Sequence, residues 1–477
     1  MNLSINLTGS NDTVEATDAL YRQGDDADQM SRGSLAMAFY GVASAMFFVY
    51  IGAAMAMAYG TANALIGLAL TICAYGVINA VLSKHALQNR TTVAQFSRTI
   101  LGTAGSSIAT IIFALVAIYY AVFEGSIVAF AFQTAFGGEM WVWYLVVVVY
   151  STPLILGGAR RFLDKLNGWL MPVYIGGMIA AVIWAGVQYG FSDAWLTHAP
   201  DAPVTLALGG PGWLATFAGY MGVWIMMMFT VDFAALGKRK DTRFHQIVTF
   251  GPVFYLLAYG FAAVVGIFLT FTIPGMEVSE TGVAGGIVQM MGLLGLLVVF
   301  VSQTRINTAN YYLGAANLRA FGERVFRIKM PNLAWVLLSS LIIFLLMLLP
   351  IVQYILLALA WQGVLVTAWV AIALTHIALS RRRKPEHGMI GDRFYRSANR
   401  SGLVAWTVAT VIGIVMLQLG QMNPAWAGIG ATWGPILTAV SAALIYWALW
   451  AAGGPKTALR EELDIPERPR TGVITTP

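Results

Sequence analysis

The sequence contains little charge and a single cysteine. Only 10% of its 477 residues are charged, whereas about a quarter are charged in an ordinary soluble domain. Cys73 lies in an apolar run and has no second cysteine to pair with, so no disulfide forms within the chain. The sequence also has no GxxxxGK phosphate loop, no HExxH motif and no Cys/His cluster with metal-ligand spacing. We therefore expect no ATP-driven pump, no metal site, no cofactor and no enzyme.

Long apolar runs dominate the sequence instead. Hydrophobic residues make up 58% of the chain, and the mean hydropathy is +0.72. A membrane-spanning helix needs about 20 apolar residues, and runs of that length predict twelve spans. Their expected bounds are 33–58, 61–83, 106–134, 140–159, 168–190, 213–236, 247–273, 286–318, 332–349, 352–379, 402–420 and 427–452. The sequence thus predicts an all-α polytopic membrane protein in a lipid bilayer, which nearly excludes a water-soluble enzyme.

The basic residues are distributed on one side of this predicted topology. The chain has 28 Lys and Arg against 22 Asp and Glu, a net charge of +6. Of the 28, 27 precede span 1, follow an even-numbered span or lie in the C-terminal tail. The positive-inside rule places that side in the cytoplasm. We therefore expect a multi-pass protein of a bacterial inner-membrane type, with both termini cytoplasmic and no nucleic-acid partner. The remaining basic residue, Arg305, lies inside span 8.

The N-terminal segment predicts that the first span is retained. Residues 1–32 are polar and acidic, without the basic region and short apolar region of a signal peptide.

Two spans contain small, flexible residues where a helix could be broken. Secondary transporters often consist of inverted repeats with discontinuous helices at the membrane midplane. Gly41 in span 1 and Gly222 in span 6 lie five spans apart, and Glu124 and Arg305 each follow one of these glycines by 83 residues. This spacing predicts paired breaks, with Glu124 and Arg305 as pseudo-symmetry mates. The alternative is that the glycines only permit close helix packing.

Three stretches of the sequence resemble one transporter family. Span 8 runs from Ser302-Gln303-Thr304-Arg305 to Asn317-Leu318, span 3 carries Tyr120-Ala121-Val122-Phe123-Glu124, and span 6 carries Gly222-Val223-Trp224 ahead of Val231-Asp232-Phe233. They resemble the nucleobase:cation symporter-1 family, the cytosine/purine, hydantoin and allantoin permeases. The resemblance implies the leucine-transporter fold, in which five spans and an inverted copy of five precede two peripheral helices. We expect a cytoplasmic N-terminal tail at 1–32, a first repeat at 33–190, a second repeat at 191–379, the two peripheral helices at 380–453 and a cytoplasmic C-terminal tail at 454–477.

The resemblance also implies a substrate site. A planar heterocycle is bound well between aromatic faces, with a few polar groups at its edge. Tyr120, where the family more often has tryptophan, and Trp224 are the expected faces, and Asn310 is the expected edge-reading amide. The alternatives are an interfacial anchor for Trp224 and an interhelical hydrogen bond for Asn310. The other expected site residues flank the two breaks: Ser44, Phe47 and Gly222.

Two charged residues within spans are candidates for ion coupling. Glu124 has three open interpretations: a proton carrier, an acceptor for a substrate N–H group, or the structural partner of Arg305. Arg305, next to Thr304, occupies the place of a hydroxyl residue that helps to ligate sodium in sodium-coupled relatives. A guanidinium has only donors and cannot ligate sodium. We therefore expect sodium-independent transport that is either proton-coupled or an uncoupled exchange. Asp232 is expected to form a gate or an ion pair with a basic loop residue.

These residues favour a permease that imports a small planar nitrogen heterocycle, such as a nucleobase, hydantoin or allantoin, by alternating access. In a second interpretation, a transporter of the same fold binds a small cationic amine or amidine through Glu124. A third, from another class, is a channel or receptor.

Overall fold

The computed structural model describes residues 29–156, 164–200, 210–350, 354–380, 395–453 and 458. Within them the chain is helical and has no strand longer than an isolated bridge. In chain order the helices are α1 (Arg32–Tyr40), α2 (Met46–Tyr59), α3 (Thr61–Asn89), α4 (Val93–Phe136), α5 (Met140–Leu156), α6 (Asp164–Tyr189), α7 (Ala194–Thr197), α8 (Gly212–Tyr220), α9 (Ile225–Ala234), α10 (Arg239–Thr272), α11 (Glu280–Met291), α12 (Leu293–Phe321), α13 (Asn332–Met347), α14 (Ile355–Ser380), α15 (Arg400–Met422) and α16 (Pro424–Ala451).

The described helices account for the twelve predicted spans. Seven are long and apolar enough to cross a membrane, and counting each of the two bent helix pairs as one span gives nine. The shorter apolar helices α5 and α13 supply spans 4 and 9. Span 8 is α12, which is 29 residues long but carries the polar run from Ser302 onward. The basic residues at 160–161 and 381–384, the tail before residue 29 and nearly all of the predicted C-terminal tail lie outside the described residues.

Both predicted helix breaks are confirmed. In span 1, α1 ends at Tyr40, a single 3-10 turn covers Val42–Ser44, and α2 begins at Met46 with its axis bent by 45°. In span 6, α8 and α9 are separated by four residues and bent by 42°. Each break releases backbone carbonyl and N–H groups from helical hydrogen bonds, and such groups are tolerated at membrane depth only where protein or a cavity surrounds them.

Several predicted span boundaries differ from the structure, and for spans 3 and 8 a glycine with positive φ lies near the predicted start. Span 3 begins at Val93 rather than 106, because α4 continues through a kink at Gly102 with φ of 88°. Span 8 begins at 293 rather than 286, because Gly292 with φ of 59° separates α11 from α12. Hydropathy cannot show the break at Gly292, since the residues on either side of this glycine are equally apolar.

Helix α12 is central to the bundle. It packs along α4 and also contacts α6, α11 and α13. Helices α2 and α10 approach closely at two glycines, Gly52 and Gly266. A Cβ at Gly52 would lie 2.5 Å from the Cα of Ala263, and a Cβ at Gly266 would overlap the Val49 carbonyl. The two last helices, α15 and α16, pack on each other and on α14. This arrangement brings both breaks, α4 and α12 to one place.

Candidate functional site

A cavity lies between the two breaks. Its walls come from the break of span 1, α4, the break of span 6 and α12. The polar groups at its surface belong to Tyr120, Glu124 and Asn310, and the aromatic rings include Phe47 and Phe229. The cavity volume is about 20 Å³, which is room for one or two water molecules. Side chains must therefore move apart before a heterocycle can enter.

Glu124 is held beside the cavity by Gln303 of α12. The Gln303 side chain donates from Nε2 to the carboxylate Oε2 of Glu124 and accepts at Oε1 from the backbone N–H of Met46, 3.0 Å away. That N–H is the first of α2 and has no partner within its own helix. One amide thus connects the acidic residue of span 3 to the break of span 1. The exposed fraction of Glu124 is only 1%.

Asn310 presents an unused hydrogen-bond donor at the same cavity. Its side chain is buried, and Nδ2 has no hydrogen-bond partner in the structure. A buried unpaired amide N–H costs about 1 to 3 kcal/mol, so a ligand oxygen at this point is favoured. The cavity therefore offers a carboxyl acceptor from α4 and an amide donor from α12.

Tyr120 is fixed by a contact that the sequence interpretation missed. Its hydroxyl accepts a hydrogen bond of 2.6 Å from Nε2 of Gln362 in α14. The bond joins spans 3 and 10 beside the cavity. Gln362 lies in an apolar run without any recognisable motif, so no sequence signal identified it.

Three of the expected substrate-binding residues do not line this cavity, and two of them lie at the break of span 6. The ring of Trp224 packs near Tyr75 of α3, at 6.5 Å between ring centroids, and near Gly363 of α14. Gly222 belongs to the turn between α8 and α9, and its neighbour Val223 forms the wall instead. Placing Trp224 at a substrate face stays a prediction.

Arg305 lies against the break of span 1, on a different side of α12 from Glu124. Its Nη2 donates to the carbonyl oxygen of Tyr40 at 3.0 Å, and its guanidinium carbon is 5.5 Å from the centre of the Tyr174 ring. Tyr40 ends α1, so its carbonyl carries the partial negative charge of a helix C-terminus. Nε and Nη1 of Arg305 have no hydrogen-bond partner. Glu124 contacts position 303 of α12 rather than Arg305, and a structural pairing of Glu124 with Arg305 stays a prediction.

Ser44 belongs to the contact between the break and α12. Its Oγ is 2.8 Å from the carbonyl oxygen of Ser302, and the Ser302 hydroxyl donates to the Ser44 carbonyl. Thr304 faces the other way, with its Oγ1 3.2 Å from the hydroxyl of Tyr150 in α5. The structure therefore brings Ser44 and Arg305, but not Thr304, to the break of span 1.

Asp232 supports the start of α4. Its Oδ1 accepts a 2.7 Å hydrogen bond from the backbone N–H of Val93, the first residue of that helix. A carboxylate is favoured at a helix N-terminus because the free N–H groups and the helix dipole both attract negative charge. Asp232 lies apart from the cavity. This contact joins spans 3 and 6 without any basic loop residue, and the gating role stays a prediction.

Comparisons with known proteins identify the fold. No protein-family profile and no curated protein sequence matches the chain. Among solved structures, the chain is similar to Mhp1, a nucleobase-cation-symport-1 family transporter, solved in a closed conformation with bromovinylhydantoin bound. The identity is 16% and the TM-score is 0.68, and the match covers 90% of this chain and 95% of that one. The inward-facing conformation of Mhp1 gives 14% identity and a TM-score of 0.64, covering 91% and 94%. A Na⁺-coupled sialic acid symporter is similar at 10% identity and a TM-score of 0.60, covering 94% of this chain and 95% of that one. The leucine-transporter fold predicted from the sequence is confirmed.

Proposed function

We propose that this protein is a secondary transporter that moves a small, neutral, planar heterocycle across a membrane by alternating access. The observation that carries the proposal is the pairing of Glu124 and Asn310 at one cavity between two broken helices. The similarity to Mhp1, solved with bromovinylhydantoin bound, supports it. The proposed location is a bacterial inner-membrane type of cell membrane, with both termini cytoplasmic.

The two polar groups fit the edge of a cyclic amide or ureide. A carboxylate oxygen of Glu124 accepts from a ring N–H, and Nδ2 of Asn310 donates to the neighbouring ring carbonyl. Hydantoin, allantoin, uracil and cytosine all present a ring N–H group beside a carbonyl. Aromatic rings of Phe47, Tyr120 and Phe229, which belong to three different helices, supply the flat apolar surface that such a ring needs.

Arg305 supports sodium-independent coupling. Its guanidinium contacts the carbonyl of Tyr40, an oxygen released by the break of span 1. In the resemblance given above, sodium-coupled relatives place the ion between spans 1 and 8. A permanent positive charge at this place substitutes for the ion and holds the two spans together. Glu124 is then the group that carries a proton, unless the protein is an uncoupled exchanger.

A ligand panel tests the substrate class. Purified protein is heated with hydantoin, allantoin, uracil, cytosine or guanidine, and the same compounds compete for uptake into reconstituted vesicles. Ligand at about 100 times its Kd stabilises the folded state by about 2.7 kcal/mol, so the cyclic amides and ureides are expected to raise the Tm and guanidine is not.

The panel also tests the competing function. The lack of an ion pair between Glu124 and Arg305 leaves the carboxylate available to a cationic amine or amidine. Stabilisation and competition by guanidine alone would establish that function instead. No stabilisation by any compound, with no saturable uptake, would contradict a transporter of this class and favour a channel or receptor.

A further inference from the structure

Tyr120 has a hydrogen-bond donor that no described residue uses. Its hydroxyl oxygen accepts from Nε2 of Gln362, 2.6 Å away. A phenol has a single O–H hydrogen, and no acceptor among the described residues forms a hydrogen bond with it. The side chain is buried, with an exposed fraction of 5%. The hydroxyl hydrogen therefore needs an acceptor inside the protein.

Gln362 determines the direction in which this hydroxyl donates. The amide is buried in α14 and approaches the Tyr120 oxygen with an N–H group. Oε1 of the same amide has no hydrogen-bond partner, so it does not accept the hydroxyl hydrogen. An O–H group cannot donate to a donor, so the hydrogen is directed away from Gln362. Because Tyr120 lines the cavity, this donor is available to a ligand there.

The polar residues of the cavity lie along one contact between α4 and α12. A Cβ at Gly125 of α4 would lie 3.3 Å from Nδ2 of Asn307 in α12. A Cβ at Gly314 of α12 would lie 3.1 Å from Cγ1 of Ile118 in α4. The polar cavity residues all lie between these two contacts: Tyr120 and Glu124 on α4, and Asn310 on α12.

Together these residues offer one acceptor and two donors. Gln303 donates to Oε2 of Glu124, which leaves the carboxyl Oε1 as an acceptor. The donors are Nδ2 of Asn310, which has no partner, and the hydroxyl of Tyr120. An N–H group between two carbonyls presents the complementary set, one donor and two acceptors. A ring with a single carbonyl would leave one buried donor unpaired, which weakens binding by about 5-fold to 150-fold.

We propose that the substrate is a cyclic imide, a ring whose N–H group lies between two carbonyls, and that Tyr120 held by Gln362 selects for it. The inference rests on the proposed function and narrows it. Glu124 accepts from the imide N–H, while Asn310 and Tyr120 each donate to one carbonyl. Hydantoin, allantoin and uracil contain this edge, whereas cytosine has only one ring carbonyl.

Two rings that differ by one carbonyl test the proposal. Hydantoin has an N–H group between two carbonyls, and 2-imidazolidinone is the same ring without the second carbonyl. Titration of the purified full-length protein measures the Kd of each compound. We expect the wild type to bind hydantoin about 5-fold to 150-fold more tightly than 2-imidazolidinone. Equal Kd values would overturn the proposal.

Tyr120→Phe separates the effect of the hydroxyl from that of the ring. The variant keeps the aromatic face and removes the O–H donor, so hydantoin is expected to lose most of its advantage while the Kd of 2-imidazolidinone stays near the wild-type value. Tyr119→Phe is the matched control, because this neighbouring residue does not line the cavity. It is expected to keep the wild-type ratio of the two Kd values. The wild-type ratio in Tyr120→Phe would also overturn the proposal.

Gln362→Leu tests whether the amide positions the hydroxyl. Without the Nε2 donor, the Tyr120 hydroxyl is free to rotate, so the Kd of hydantoin is expected to rise and that of 2-imidazolidinone to stay unchanged. A loss of affinity for both compounds by the same factor, or for neither, would show that Gln362 does not position Tyr120 for an imide.

Failure of this inference and failure of the proposed function give different results. If the wild type binds and takes up hydantoin and 2-imidazolidinone equally well, selection for an imide is wrong while the transporter of planar heterocycles stands. If the wild type binds neither compound and shows no saturable uptake, the proposed function fails, and this inference fails with it.

Discussion

At the scale of single residues, the site depends on side-chain amides that form hydrogen bonds with groups from different helices. Gln303 contacts both the carboxylate of Glu124 and the first N–H of α2. Glu124 was identified because a charged residue is unusual in an apolar span, whereas Asn310 was identified because the resemblance of span 8 implies an edge-reading amide there. It did not identify Gln303 or Gln362 as site residues, because their partners lie 179 and 242 positions away in the chain.

Asn310→Ala tests whether the unused amide donor binds substrate. Loss of one hydrogen bond to a buried ligand carbonyl costs about 1 to 3 kcal/mol, which corresponds to about 5-fold to 150-fold weaker binding. Titration of the purified protein with hydantoin measures the Kd. Asn307→Ala is the control, because Asn307 is equally buried on α12 but does not line the cavity. Equal effects of the two substitutions would contradict the assignment.

Glu280, the first residue of α11, is a buried carboxylate whose ionisation gives a stability prediction. Its pKa is raised in the folded state, so the stability it contributes is fully present below about pH 4.5 and is lost as the pH rises through about 7. Glu280→Gln mimics the neutral form and is expected to raise the Tm relative to wild type at pH 8, with little difference at pH 4.5. Thermal unfolding at both pH values measures the effect. An equal Tm difference at both would contradict the assigned titration.

At the scale of elements, the two broken helices are what make the cavity. Small residues near Gly41 and Gly222 predicted both breaks, because glycine lowers the stability of a helix and allows neighbouring backbone to approach closely. The orientation of Trp224 could not be predicted in the same way. Its neighbour Val223 faces the cavity while Trp224 packs near Tyr75, and this choice depends on how α3 and α14 pack around the turn.

Gly41→Ala tests the contact between the first break and its neighbours. A Cβ at Gly41 would overlap Nδ2 of Asn167 and lie 3.0 Å from the carbonyl oxygen of Arg305. We expect this overlap to destabilise the protein by about 1 to 3 kcal/mol and to slow hydantoin uptake. Gly33→Ala is the control, because a Cβ there meets nothing within 4 Å. Wild-type stability and uptake in Gly41→Ala would show that the break is not tightly held.

At the scale of the whole molecule, hydropathy was sufficient to predict twelve helical spans, and the resemblance of spans 3, 6 and 8 to a transporter family implied the fold. All twelve predicted spans have a helical counterpart, and the structural similarity to Mhp1 agrees with the resemblance of spans 3, 6 and 8. The site was less accessible to prediction, since the hydropathy of α12 does not show that positions 303 and 305 face different neighbours. Their separate contacts, to Glu124 and to the break of span 1, depend on how the spans pack around α12.

The central claim is that Arg305 takes the place of a coupling cation while Glu124 and Asn310 bind a neutral heterocycle. Uptake of radiolabelled hydantoin into reconstituted vesicles, with all sodium replaced by choline, tests it most directly. Because the guanidinium already contacts the Tyr40 carbonyl, we predict the same rate of uptake with and without sodium. Uptake that requires sodium would contradict the account.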